Sequence, residues 1–401
     1  MLSNNRRRVA HVVRKMLPRF SSFIRNQVMN HLRYDAIMIY KEFIESAFAH
    51  EIMDMIPSFY CNERKMGIGK LYSDFLYRRP FRRLTNIDVS NVTRYLRIHN
   101  VNIIHYHYGT DAGVFVRAIA STKIPALVSF YGYDCSSFPD WYLGLGKFYL
   151  RRVFKNVDYC IAMSEDMKSD LLRLGCPEGK IIVHYYGTDV QRFLGEKTYD
   201  EKGEIILLSV GYLVPQKGHA FTLGAFRKAL RMTNKKMRLR IVGEGRLEPS
   251  LKKYVARHGL SDCVDFVGPL KHLSREFLEE FSRADVFIHP SVTSNTNEKE
   301  GIPGAIVEAM ASGLPVISTF HAGIPFVIHN GETGLLVHEW DTAMLAKFIV
   351  KLAEDAGFRK TIGRRAQEYA LKNLDVKQKQ KELENIYDLV IEEHNKRYGN
   401  T

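Results

Sequence analysis

Two carboxylates, Glu300 and Glu308, flank a Gly-Pro-Gly turn in the run Glu300-Gly301-Ile302-Pro303-Gly304-Ala305-Ile306-Val307-Glu308. The turn reads as the opening of a helix. Pro303 suits the first helical turn, where its missing N–H costs nothing, and Gly301 and Gly304 let the backbone come close to a ligand. Unpaired N–H groups at a helix start favour anions or hydroxyl oxygens in front of them. With Glu300 in the loop and Glu308 about one turn into the helix, each carboxylate can hold one end of an elongated ligand such as a sugar nucleotide. Taken singly, either acid is an ordinary solvated residue at the favourable end of a helix dipole. The constellation carries the reading. The helix runs on through Ala309-Met310-Ala311-Ser312, stops at Gly313, which suits the left-handed position that ends helices, and is followed by a strand from Pro315 to Ser318.

The elements that must position this turn alternate along the chain. Strand-like runs occur at Val9 to Val13, Ala36 to Tyr40, Val101 to His105, Ala126 to Phe130, Tyr159 to Met163 and Ile181 to Tyr185, with helical stretches such as Phe23 to Leu32 and Met167 to Leu174 between them. Short apolar runs separated by helices point to an α/β protein with parallel sheets covered on both faces. After a polar, strand-poor linker around Gly195 to Gly203 the pattern restarts at Ile205 to Val210, Arg238 to Val242, Val264 to Val267, Val286 to Ile288 and Pro315 to Ser318. At 401 residues the chain is too long for one ordinary core. The expected division is a first Rossmann-like domain over 1–198, a second over 199–375, and a terminal helix over 376–401. On that helix Leu383, Ile386, Tyr387, Val390 and Ile391 share a face that needs an apolar partner.

The formal charge is +14, and residues 1–200 carry +10 of it. A basic half serves a nucleic acid, an anionic membrane surface or a phosphorylated substrate. Zinc-finger spacing and aromatic RNA-binding motifs are lacking, so nucleic acid is the weakest of the three. The densest segments, Arg64 to Arg83 and Lys147 to Lys155, interleave basic residues with aromatics as interfacial segments do. Ordinary solvated helices with buried aromatic faces fit each segment equally well. The basic start, Met1 to Arg8, resembles a signal-peptide head. Its apolar run Val9 to Val13 is broken by His11, ended by Arg14-Lys15, and too short for export. With no run of about eighteen apolar residues, a cytoplasmic protein, soluble or peripheral on the inner face of the membrane, is expected. Cys61, Cys135, Cys160, Cys176 and Cys263 form no Cys-x-x-Cys pair, which fits a reducing compartment.

The stretch after Glu300, with Glu308-Ala-Met-Ala-Ser-Gly-Leu-Pro-Val-Ile-Ser318, then Ala322-Gly-Ile-Pro325, then Asn330-Gly-Glu-Thr-Gly-Leu-Leu-Val337, resembles the donor site of the family-4 retaining glycosyltransferases. The resemblance implies a GT-B fold: two Rossmann-like domains facing a cleft, with the terminal helix crossing back to the first. It implies that Glu300 contacts the donor sugar near its anomeric centre and Glu308 the ribose hydroxyls. The amides of Gly301, Ile302, Pro303, Gly304 and Ala305 as a segment would hold sugar hydroxyls. After Ile205 to Val210, Gly211-Tyr212-Leu213 and Lys217-Gly218 stand where the family carries an Arg and a Lys on the donor diphosphate. Lys217 matches and Tyr212 replaces the Arg, leaving Lys217 to carry more of the leaving-group charge, with help from His219 or Arg246. Gly243 and Arg246 lie in the glycine-spaced turn Ile241 to Arg246, and Gly268 in the loop where the base usually rests. Phe326 stands where the family commonly has Glu.

In the first domain, His105 and His107 resemble the family's His-x-His strand end. On a strand they share a face. A metal reading needs a third ligand, and none has recognisable spacing, so a cleft-lining or packed pair is expected and no metal. Tyr131 replaces the His of the family's Phe-His-Gly-x-Asp turn, and Asp134 matches its Asp. Tyr is no near-neutral acid or base as His is. The loop Pro18 to Phe23 is polar and basic, as a loop meeting a phosphorylated acceptor would be. The resulting expectation is a metal- and cofactor-independent retaining transferase moving a hexosyl unit from a nucleoside diphosphate sugar to a hydroxyl acceptor, with a lipid-linked glycan of a bacterial surface polysaccharide implied by the resemblance. A sugar-nucleotide-binding protein without transfer activity and a sugar-nucleotide epimerase are the alternatives.

Overall fold

The structure, a computed structural model, describes residues 6–17, 21–61, 83–195, 197–200 and 203–399. The chain divides into two compact units, residues 1–187 with 376–401, and residues 188–375. The first boundary falls at Gly187/Thr188 rather than at 198/199 because the expected linker is already packed into the second unit. There Lys197 Nζ donates to the carbonyls of Phe281 and Ser282, and the Tyr199 hydroxyl donates to the Gly313 carbonyl at 2.7 Å.

The first unit is built on β1 (Arg7–Lys15), β2 (Tyr34–Glu42), β3 (Ser58–Tyr60), β4 (Ile103–His107), β5 (Ala126–Ser129), β6 (Tyr159–Ala162) and β7 (Ile181–Val183). All pairings are parallel, in the order β3-β2-β1-β4-β5-β6-β7. Val9 to Val13 in β1 and all of β4 are buried, as strands covered on both faces must be. The register sets His11 beside His105. From β3 the chain returns to the other side of β1, so the carboxyl ends of β1 and β4 form a topological switch point, where such sheets bind ligands. Helix Val376–Tyr398 closes the unit, with Leu383, Tyr387, Val390 and Ile391 buried and Ile386 packed beside them. The Glu384 carboxylate on that helix accepts the backbone N–H groups of Leu32 and Arg33.

The second unit repeats the plan with β8 (Glu204–Val210), β9 (Lys236–Val242), β10 (Val264–Gly268), β11 (Val286–Ile288), β12 (Val316–Thr319) and β13 (Leu335–Val337), in the order β10-β9-β8-β11-β12-β13. Its switch point lies at the carboxyl ends of β8 and β11. Helix Gly304–Ala311 starts one residue later than the sequence suggests, with Pro303 in the N-cap position, and Gly313 beyond its end has φ +75°. The strands β3 and β13 were not anticipated. Each is three residues long at a sheet edge, too short to show a period.

Arg64, Arg78, Arg79 and Arg82 of the first basic segment, and Pro18, Arg19 and Phe20 of the basic loop, lie outside the described residues. Among the described residues, no helix is long and apolar enough to cross a membrane.

Candidate functional site

The second unit gathers its reactive groups where β8 and β11 end. β8 runs into Gly211, and a short 3-10 turn, Pro215–Lys217, brings the Lys217 ammonium back over the strand end. Gly218 then starts the helix His219–Ala229 at φ +68°, and a Cβ there would sit 1.9 Å from the Pro290 carbonyl oxygen. Only glycine allows the loops after β8 and β11 to come this close. Gly243 does the same on the other side, where a Cβ would sit 2.0 Å from the Gly211 carbonyl.

Glu300 is the centre of this cluster. Lys217 Nζ forms an ion pair with Glu300 Oε1, the Ser291 hydroxyl donates to Oε2 at 2.6 Å, and His289 Nε2 lies 3.5 Å from the same oxygen. Burial alone would raise the pKa of this carboxyl. Lys217 and His289 outweigh it and hold Glu300 well below the usual carboxylate range. The rings around it stay neutral: burial lowers His289 and pushes His219 down to about 3, with His289 and Lys217 adding to the effect on His219. The result is one largely enclosed carboxylate matched by one ammonium. An ammonium has three donors, so Lys217 can hold Glu300 and still donate to an anionic ligand.

Glu308 is nearly buried, and its Oε1 is 2.8 Å from His272 Nε2. Between the two acids, Ile302 and Pro303 are buried, and Ile302 packs against Gly323, so Ile302 can offer a ligand only its backbone. Gly301, Gly304 and Ala305 are half-buried. Tyr212 is 42% exposed, and Arg246 is exposed without a bond to Lys217 or Glu300. Of the two groups expected to help Lys217, His219 is neutral and Arg246 keeps an exposed guanidinium. Gly268 has φ +84° and open space where a Cβ would stand. Ser291, His289, His272, His321 and Glu339 were missed in the sequence. The one available signal was position, since His289 and Ser291 follow directly on a strand beside the first strand of the sheet.

In the first unit, the sequence shows no third ligand for His105 and His107, yet strand register supplies His11. Ligand atoms of these three buried rings lie within 4.8 Å of one another. Each ring nitrogen already has a partner. His105 meets the Tyr387 hydroxyl and Ser129 Oγ, both at 2.7 Å. His107 Nε2 meets His11 Nδ1 at 2.8 Å and its Nδ1 the Tyr131 hydroxyl at 2.7 Å. His11 Nε2 continues to His31 Nε2 at 2.8 Å, and His31 Nδ1 to Glu384 at 3.1 Å. Burial drives His11, His105 and His107 far below the ordinary histidine value, and burial raises Tyr131. This is a chain of hydrogen-bonded rings running from Tyr131 to the terminal helix, with His107 and His11 neutral within it. Asp134 is fully buried and accepts the N–H groups of Gly109, Tyr131 and Gly132. Burial outweighs those bonds and brings it to about 6. It ties the loop after β5 to the helix Gly109–Thr122.

The Lys217–Glu300 pair carries a stability signature. A carboxyl with a depressed folded-state pKa contributes stability that is present above its unfolded value and lost as pH falls through the folded one. Lys217→Met removes the main opposing charge, so at pH 7 it should cost about 3–5 kcal/mol. That cost should shrink below about pH 5, where the stranded carboxyl takes up a proton, and Lys217→Met with Glu300→Gln should recover most of it. Urea denaturation across pH measures this. A cost independent of pH would mean that the pair is not ionised.

With this geometry in view, comparison with known proteins is informative. The family model described as Glycosyltransferase Family 4 matches residues 56–192, and that described as Glycosyl transferases group 1 matches residues 204–355. The chain is 34% identical over 205 residues (51% of this chain, 49% of that protein) to Salmonella typhimurium WcaL, named provisionally as a colanic acid biosynthesis glycosyltransferase. It is 32% identical over 257 residues (64% of this chain, 61% of that protein) to the amylovoran biosynthesis glycosyltransferase AmsK of Erwinia amylovora. These matches span less than two thirds of either relative. Among solved structures, Anabaena HepE in complex with UDP superposes with a TM-score of 0.75 at 18% identity, covering 95% of this chain and 99% of that one. A glycosyltransferase from Rickettsia africae gives 0.76 at 19% identity, covering 96% and 99%. The fold is therefore GT-B, and a glycosyltransferase family model matches each half of the chain, Glycosyltransferase Family 4 in the first and Glycosyl transferases group 1 in the second.

Proposed function

We propose that this protein is a metal-independent retaining glycosyltransferase that moves a hexosyl unit from a nucleoside diphosphate sugar to a hydroxyl of a glycan acceptor in surface polysaccharide synthesis. The observation that carries the reading is the partly buried Lys217–Glu300 pair at the β8/β11 switch point, with Glu308 one helix turn beyond. The UDP bound to HepE makes uridine diphosphate sugars the first donors to test, and the names of AmsK and WcaL support an exopolysaccharide product. In this reading the ribose sits on Glu308, the sugar on Glu300 and the helix-start amides, and the diphosphate against Lys217. The bond from the anomeric carbon to the diphosphate breaks with its electron pair on the leaving oxygen, where Lys217 stabilises the charge. The acceptor oxygen bonds to the same face of that carbon and passes its proton to a diphosphate oxygen. Charge placed before the reaction supplies the main effect.

The acceptor is a lipid-linked glycan in the same reading. Helix Trp141–Asn156 supports a membrane approach, since Trp141, Leu143, Leu145 and Phe148 are exposed alongside exposed Lys147, Arg151, Arg152 and Lys155. Each basic residue near an anionic surface contributes about 1 kcal/mol, screened by salt. Sedimentation with phosphatidylglycerol-containing vesicles should therefore weaken severalfold for Arg151→Gln with Arg152→Gln and fall with added salt. Binding indifferent to both would leave this segment an ordinary helix face.

The two acids separate kinetically. Glu300→Gln should lower turnover with little change in donor affinity, whereas Glu308→Ala should mainly weaken donor binding. Steady-state kinetics with the best donor from a thermal-shift screen measures both. Equal, small effects on both constants would contradict the assignment. Donor binding without hydrolysis or transfer would favour a binding protein, the reading to which Tyr212 in place of a cation lends weight.

A further inference from the structure

The peptide of Glu300 is held by a pair of side chains to which neither the motifs nor the ligand roles above give a part. His321, in the loop after β12 and 1% exposed, has its Nε2 3.1 Å from the Glu300 backbone nitrogen. Its Nδ1 is 2.6 Å from Glu339 Oε1, in the loop after β13. Glu339 Oε2 accepts the Thr293 N–H at 2.8 Å, and Oε1 accepts the Thr293 hydroxyl at 3.2 Å, in the loop after β11. We propose that His321 and Glu339 are positioning residues that fix the Glu300 peptide, and through it the Glu300 carboxylate, for sugar transfer. This rests on the reading of Glu300 as the group that faces the transferred sugar.

The argument is one of hydrogen-bond polarity. An ionised carboxylate only accepts, so Glu339 requires the proton of His321 on Nδ1. That leaves Nε2 as an acceptor, which is what the Glu300 N–H needs. The tautomer of one ring is thus set by a carboxylate two loops away, and the bond it makes falls on the residue whose other end is held by Lys217 and Ser291. With its peptide and its carboxylate both anchored, Glu300 has little freedom to turn away. If the ring is lost, the Glu300 N–H is left without that partner, and the loop carrying Glu300 is free to shift. If Glu339 becomes Gln, its single amide oxygen can face the Thr293 N–H or the His321 N–H but not both. Either the loop tie breaks, or the ring reverses and sets a donor against the Glu300 N–H.

The test uses the full chain and compares His321→Leu, His321→Gln and Glu339→Gln. Displacements of this kind cost on the order of 10–100-fold in turnover. His321→Leu and Glu339→Gln should therefore lower kcat by that factor with the donor KM within about twofold. His321→Gln keeps one acceptor and one donor on its amide, and should recover much of the loss. Nitrogen-15 histidine spectra supply a readout independent of activity. The signal lost in His321→Gln should report a neutral ring protonated on Nδ1 in the parent, and should move in Glu339→Gln. A parent ring protonated on Nε2, or unchanged kcat in His321→Leu, would overturn the proposal. If Glu300→Gln is itself without effect, the reading of Glu300 fails. If Glu300→Gln is damaging while the three variants are not, the positioning claim alone fails.

Discussion

A carboxylate removed from water costs several kcal/mol unless an opposite charge and enough donors meet it. The second unit is organised around meeting that requirement at Glu300. Lys217 supplies the charge, Ser291 a hydroxyl and His289 a neutral ring, each from a loop at the carboxyl edge of the sheet. The close approach of Gly218 to Pro290 lets the loop bearing Lys217 come within reach of the loop bearing His289 and Ser291. A parallel sheet whose strand order reverses at β8 and β11 puts those loops side by side. The fold thus sets a charge where a ligand with negative charge and hydroxyl groups can share it.

The first unit answers a different polar problem. Strand β1 carries a histidine in a fully buried position, and parallel register places it beside the two histidines of β4. Burial keeps all three neutral; the chain from Tyr131 to Glu384 gives His107 and His11 their partners, and the Tyr387 hydroxyl and Ser129 give His105 its own. Because Glu384 and Tyr387 belong to the terminal helix, the same network seats that helix on the sheet.

Much of this was legible in the sequence where a function is written in a short continuous run. Glu300, Glu308 and Gly313 could be placed because their spacing fits a turn, a helix and a cap, and Lys217 only through the family resemblance of the loop after β8. The long strands showed as apolar runs, and the terminal helix as a face of Leu383, Tyr387, Val390 and Ile391. What stayed hidden depends on which loops the sheet brings together. His289, Ser291, His321 and Glu339 come from three loops, and a single histidine in a loop has no period to reveal it. His11 was visible only as an interruption of an apolar run, because its meaning lies in the register with β4. Tyr199 looked like linker because its bond to Gly313 spans 114 residues.

The most direct measurement of the central claim is the structure of the protein bound to a UDP-sugar. The account places the diphosphate within hydrogen-bond distance of Lys217 Nζ, the ribose hydroxyls on the Glu308 carboxylate, and the sugar between Glu300 and the amides of Gly301 to Ala305. A nucleotide bound away from the carboxyl ends of β8 and β11, with the Lys217–Glu300 pair untouched, would contradict it.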